Sequence, residues 1–267
     1  MSETPELLVR TATEAAVTTI TLDSPHNRNA LSSTLVRQLR EAIEAAGADP
    51  AVRAVVVTHT GGTFCAGADL GEAVGRGLTP EEATAEVGSS MSSLMRSFLD
   101  LPKPVIAMID GHVRAGGFGL VGAADIAVAG PRSTFALTES RLGLAPSMIS
   151  VVLLAKMTAR SAGRYFLTGE KFDAATAVAS GFLTAAADSV EDLQAQVAAI
   201  CESVRKASPQ GLAASKKLTT ADLLDGFDEA VAARAAESMA LFGSDEAREG
   251  MTAFLSKRRP AWDASAS

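Results

Sequence analysis

The segment from Lys103 to Leu120 constrains this chain more than any other. Pro104-Val105-Ile106-Ala107-Met108-Ile109 is an apolar run suited to a strand covered on both faces, and after Asp110-Gly111-His112-Val113-Arg114 it reaches Ala115-Gly116-Gly117-Phe118-Gly119-Leu120. Glycines at 116, 117 and 119 remove the Cβ that would keep a ligand away from the backbone, so amide N–H groups stand open at the end of a buried strand. Taken alone, such a turn also serves as an ordinary tight connection from strand to helix. A second instance lies upstream, where Ala54-Val55-Val56-Val57-Thr58 runs into Gly61-Gly62-Thr63-Phe64-Cys65-Ala66-Gly67-Ala68-Asp69-Leu70. Two buried strands ending in small-residue loops require a layered α/β or α+β domain.

The rest of the chain divides into an alternating first half and a helical second half. Val17-Thr18-Thr19-Ile20-Thr21-Leu22 alternates as a half-buried strand, and Ser32 caps a helix predicted through Ala46. A further helix starts at Thr79-Pro80-Glu81-Glu82 and stops before Pro102 and Pro104. Two short strands follow at 125–129 and 133–136, parted by Gly130-Pro131. Helices are then predicted at 149–157, 159–167, 174–180, 190–206, 209–219, 223–242 and 245–257.

Composition excludes more than it selects. The 267 residues are 47% hydrophobic, enough for a sizeable core, with only 4% aromatic residues, so the core rests on Ala, Val, Leu and Met. A net charge of -7 with no broad basic face argues against a nucleic-acid or anionic-membrane binder. Cys65 and Cys201 are too few for a disulfide scaffold, and Met1 to Glu6 lacks a secretory apolar region, which makes the cytoplasm the expected location. No apolar run reaches the length of a membrane span. His26, His59 and His112 lack metal-ligand spacing, so no metal is expected. Phosphate-loop, dinucleotide-binding and nucleophile-elbow patterns are missing, and Cys65, with no adjacent base, reads as a buried thiol rather than a nucleophile.

Phe64-Cys65-Ala66-Gly67-Ala68-Asp69-Leu70, Lys103-Pro104-Val105-Ile106-Ala107, Asp110-Gly111-His112 and Ala115-Gly116-Gly117 together resemble the crotonase superfamily, the enoyl-CoA hydratase/isomerase family. Arg28-Asn29-Ala30-Leu31, Phe135-Ala136-Leu137-Thr138-Glu139 with Leu142-Gly143, and Phe254-Leu255-Ser256-Lys257-Arg258 extend the resemblance over almost the whole chain. It implies an α/β (α+β) fold, a crotonase-like spiral of repeated ββα units with a helical C-terminal region. The core with its coenzyme A and oxyanion sites would occupy residues 1–200, and a helical trimerisation region residues 201–267. The resemblance further implies a homotrimer or homohexamer acting on an acyl-CoA thioester, with coenzyme A belonging to the substrate and no separate cofactor. Ala230 to Ala240 would supply a subunit interface or simply cover its own core.

Enolate chemistry on a thioester places negative charge on the carbonyl oxygen, and the resemblance assigns the two stabilising N–H donors to Ala68 and Gly116. Read from the residues alone, Asp69 caps a helix and Gly116 permits close packing. Family hydratases use two glutamates. The position of the first is Gly119 here, whereas the second is kept as Glu139, either an acid/base in a cleft or a surface carboxylate paired with Arg141. Coenzyme A would meet Arg28, Asn29, Ala30, Ala66, Gly67, Asp69, Leu70 and Lys257, the last also explicable as a charged helix end. Arg114 stands beside the predicted pocket, suited to an acid at a subunit contact or to a substrate carboxylate. Met91, Leu94, Met95 and Phe98 share helical spacing, as core packing or as an acyl tunnel. With Gly119 in place of the first glutamate, three activities stand open. One is hydration, as in the methylglutaconyl- or isohexenylglutaconyl-type hydratases whose Gly-x-Gly-Leu and Glu-x-Arg-Leu-Gly-Leu patterns look similar. The others are a 3,2-double-bond shift by one base, and acyl-CoA binding without turnover or another enolate reaction such as decarboxylation.

Overall fold

A computed structural model describes residues 6–77 and 80–265. The chain opens with a hairpin, β1 (Val9–Glu14) antiparallel to β2 (Val17–Leu22), turned through Ala15 and Ala16, both at positive φ. Sequence periodicity does not reveal β1 because all its residues after Val9 are exposed, which removes the alternation of a half-buried strand. Next comes α1 (Ser33–Ala48), whose Ser32 cap accepts the Leu35 N–H as expected and whose buried face is Leu35, Leu39, Ile43 and Ala46.

Three ββα turns follow. The first comprises β3 (Ala54–His59), β4 (Thr63–Cys65), the short α2 (Leu70–Gly75) and α3 (Pro80–Asp100); the Thr79 expected to precede that helix lies outside the described residues. The second is β5 (Val105–Ile109), β6 (His112–Arg114) and α4 (Gly116–Ala123). The third is β7 (Ile126–Ala129), β8 (Thr134–Ala136), a 3-10 turn at Glu139–Leu142 and α5 (Ser147–Lys156). In each turn the first strand joins one sheet and the second strand another. Strands β3, β5 and β7 lie parallel in a six-stranded sheet, while β4, β6 and β8 lie parallel in a four-stranded one. This is the predicted spiral of ββα units.

Then come α6 (Ala159–Thr168), β9 (Phe172–Asp173), α7 (Ala174–Ala179) and β10 (Ala185–Ala186). The helical C-terminal region consists of α8 (Val190–Arg205), α9 (Pro209–Leu224), α10 (Phe227–Phe242) and α11 (Asp245–Leu255). Helix α9 runs on to Leu224, and α10 starts only at Phe227, because Gly226 takes a left-handed conformation with φ 70° that parts them. Among the described residues no helix is long and apolar enough to cross a membrane.

The main core lies between the two sheets, α1, α3 and α4, and a smaller one packs α8 on the outer face of the six-stranded sheet. The scarce aromatics are concentrated where they hold the site's scaffold. Phe118 of α4 stacks on Phe182 at 4.8 Å, and Phe135 of β8 stacks on Phe172 at 5.6 Å. Helix α4 itself escapes sequence prediction, since its glycines disfavour a helix in isolation; burial of every residue from Gly117 to Ala123 overrides that local cost.

Candidate active site

The loops singled out in the sequence emerge from the carboxyl ends of three adjacent parallel strands: Ala66-Gly67-Ala68 after β4, Ala115-Gly116 after β6, and Leu137-Thr138-Glu139 after β8. Carboxyl ends of parallel strands are where α/β folds leave room for ligands.

The first two loops touch. A Cβ built on Gly67 would lie 2.7 Å from the Ala115 Cβ and 3.5 Å from the Gly116 nitrogen, and φ at Gly67 is 100°, so only glycine fits there. Ala115 pays for the approach with φ 42° and ψ -119°, a strained pair for a residue with a side chain. The chain entering α1 braces the first loop: the Leu31 N–H donates to the Gly67 carbonyl at 2.7 Å, and the Asp69 N–H donates to the Leu31 carbonyl at 3.4 Å. Among the described residues, the Ala68 N–H and the Gly116 N–H at the start of α4 donate to no protein acceptor. Two open amides on abutting loops, one of them at a helix N-terminus, are donors suited to an anion.

Glu139 sits in the 3-10 turn after β8. Its Oε2 is buried with no hydrogen-bond partner, and burial pushes the carboxyl pKa up to about 7. The alternative pairing with Arg141 does not form: the Arg141 Nε donates to the Thr168 carbonyl at 2.9 Å. Among the described residues, the only other buried side-chain oxygen without a partner is the Ser147 Oγ at the start of α5. Nothing in the sequence marks Ser147, because the signal is burial without a bond rather than residue type. At the place of the first family glutamate, a Cβ built on Gly119 would stand 2.7 Å from the Met91 Sδ and 3.0 Å from the Ile149 Cγ2. That niche is filled by apolar packing.

The residues assigned to coenzyme A fall into three groups. Arg28 is exposed at φ 60°, and Ala30 is buried beside it, in the turn before α1. Asn29 is fully buried and spent internally: its Oδ1 accepts the Ser24 N–H at 2.7 Å, and its Nδ2 donates to the carbonyls of Thr60 and Thr63. It ties that turn to the loop entering β4. Ala66, Gly67 and Asp69 lie on the β4 loop, where Asp69 accepts the Glu72 N–H at 3.1 Å and the Asn27 Nδ2 at 3.2 Å, so its capping role is real. Leu70 opens α2. Lys257 stands past the end of α11 at φ 52°, exposed, and its side chain makes no ion pair with a described residue.

Arg114 turns away from the strand ends. Its guanidinium donates to the Val113 carbonyl, the Thr134 carbonyl and the Thr134 Oγ1, at the entry to β8. Cys65 is fully buried with its thiol pushed up to about 12 by desolvation, consistent with an inert packing role. Among the described residues no cluster of three His, Cys, Asp or Glu side chains is placed to hold a metal. A polar recess of about 210 Å³ lined by Asp125, Lys156 and 181–184 contains none of the loop residues above, and a groove of about 170 Å³ runs between α3, α5 and α10.

Open amides on two strand-end loops, with a carboxyl of raised pKa on a third, are the groups that chemistry on an oxyanion requires: donors for the charge and a carrier for the proton. The family model for enoyl-CoA hydratase/isomerase matches residues 12–265, and the chain belongs to that family. It is 32% identical to a mitochondrial enoyl-CoA hydratase domain-containing protein 3 of Danio rerio, over 98% of this chain and 90% of that one. A putative enoyl-CoA hydratase of Thermus thermophilus is 33% identical, over 91% of this chain and 96% of its own. The crystal structure of a putative enoyl-CoA hydratase from Mycobacterium avium paratuberculosis superposes with a TM-score of 0.90 at 56% identity, covering 97% of this chain and 100% of that one.

Proposed function

We propose that this chain hydrates a 2-enoyl-CoA thioester, with Glu139 as its single acid/base and the amides of Ala68 and Gly116 holding the carbonyl oxygen. The observation that carries this reading is Glu139 itself, a carboxyl with a buried, unpartnered oxygen and a pKa of about 7, on the strand-end loop next to those that carry two open amides. Ionised Glu139 takes a proton from water as the water oxygen bonds to C3. The C2–C3 double-bond electrons move into the thioester, whose oxygen becomes an enolate between the two N–H groups. Glu139 then returns the proton to C2, and the net change is the addition of one water.

The packed niche at Gly119 favours one alternative, since it leaves no carboxylate at the position of the first family glutamate. A double-bond shift between C3 and C2 needs one base only, removing a proton from one carbon and returning it to another. The coenzyme A portion would follow the Arg28 to Ala30 turn and the β4 loop, with Lys257 available to a phosphate. A homotrimer or a pair of trimers is part of this reading.

The test incubates the protein with straight, branched and long 2-enoyl- and 3-enoyl-CoA and follows mass and absorbance. Gain of one water, reduced about 10²-fold or more in Glu139→Gln, is the expected result. A shifted double bond without a mass change would identify the isomerase. Near-normal turnover by Glu139→Gln would remove Glu139 from the chemistry.

A further inference from the structure

Helix α3 crosses α4 where α4 carries glycines, and one side chain fills the resulting notch. Met91 is 4% exposed, and its terminal Cε lies 2.7 Å from where a Cβ on Gly116 would stand; its Sδ lies equally close to a Cβ position on Gly119. The Leu31 Cδ1 closes the same space at 2.9 Å from the Gly116 position, with the Ile149 Cγ2 and Met95 Sδ at 3.0 and 3.3 Å from the Gly119 position. The thioether therefore lies against the backbone that offers the Gly116 N–H. An acyl group whose carbonyl oxygen accepted from that N–H would lie over the same stretch of backbone, with Met91 among the side chains packed on it. Three residues earlier on the same helix, Gly88 packs against the Met148 side chain at the groove between α3, α5 and α10.

We propose that Met91 is a specificity-determining wall of the acyl site, limiting the bulk a substrate carries on C2 and C3. The inference rests on the oxyanion reading of Gly116 and deepens it. Methionine suits the role because an unbranched, flexible thioether packs closely on glycine while filling an irregular gap. Gly119 is the other half of the device: a methyl group there would be driven against the Met91 sulfur, which can yield only toward its surroundings in the notch.

The experiment measures calorimetric dissociation constants of saturated butyryl-CoA, 2-methylbutyryl-CoA and 3-methylbutyryl-CoA, which cannot be hydrated. The proteins are wild type, Met91→Ala, Gly119→Ala and the double variant, each checked for folding by thermal unfolding. Wild type should prefer the straight chain by about tenfold or more, the scale set by one methyl group in an apolar pocket, and Met91→Ala should erase that preference. Gly119→Ala should weaken binding of all three thioesters, and the double variant should recover it. An unchanged straight-to-branched ratio in folded Met91→Ala would overturn the proposal, as would equal effects of Gly119→Ala with and without Met91. Because binding is read without turnover, failure of the hydration reading leaves this comparison intact. Absence of binding by wild type to all three thioesters would overturn both.

Discussion

The Glu139 carboxyl, the acid/base of the proposed reaction, also leaves a mark on stability. Burial raises Glu139 from 4.5 to about 7, so between those values the native state holds a proton that the unfolded chain has released. Folding stability from this group is therefore full below about pH 4.5 and falls as pH rises through 7, by about 3 kcal/mol at most. Thermal denaturation across that range should show the slope in the wild type and its loss in Glu139→Gln. If hydration uses Glu139 as base, kcat/KM should rise with pH through the same region. Little of this is legible in the sequence. The letters mark residue 139 as acidic, yet the missing Arg141 contact and the buried oxygen depend on where the turn after β8 folds back.

At the scale of elements, legibility followed the length of the apolar pattern. Strands β3 and β5 declare themselves through runs such as Val55-Val56-Val57, and α1 through its cap and periodic Leu35, Leu39 and Ile43. Strands β4, β6 and β8 span only three residues each and carry no period of their own, yet they bear the site. Their loops were readable only through glycine spacing and family resemblance. The entry to β5 is pinned by a contact no pattern predicts. Lys216 of α9, 5% exposed, donates to the carbonyls of Phe98 and Lys103 and pairs at 2.8 Å with Asp125, which also accepts the Val105 N–H. Lys216→Met leaves the half-buried Asp125 carboxylate and the Phe98 and Lys103 carbonyls without their donor and should cost about 2 kcal/mol or more in chemical denaturation. Asp125→Asn in the same background should restore part of that loss.

For the whole molecule, large apolar side chains stand exposed at Leu154, Leu167, Leu218, Phe254 and Leu255. Helix α10 contacts α3 and α5 of its own chain, and Phe227 is its one fully buried residue, which leaves an alanine-rich surface for the subunit contact proposed above. Light scattering should return three or six times the 27.4 kDa of this chain, and a monomer at micromolar concentration would remove assembly from the functional reading. The three adjacent parallel strands beneath the site act as a ruler. Neighbouring strands stand about 4.8 Å apart, so the spacing between the open amides and the Glu139 turn is graduated in strand widths, whatever the loops contain. Chemistry on such a ruler changes by moving a functional group from one mark to the next: an acid carried after β6 would address a different carbon of the same thioester than one carried after β8.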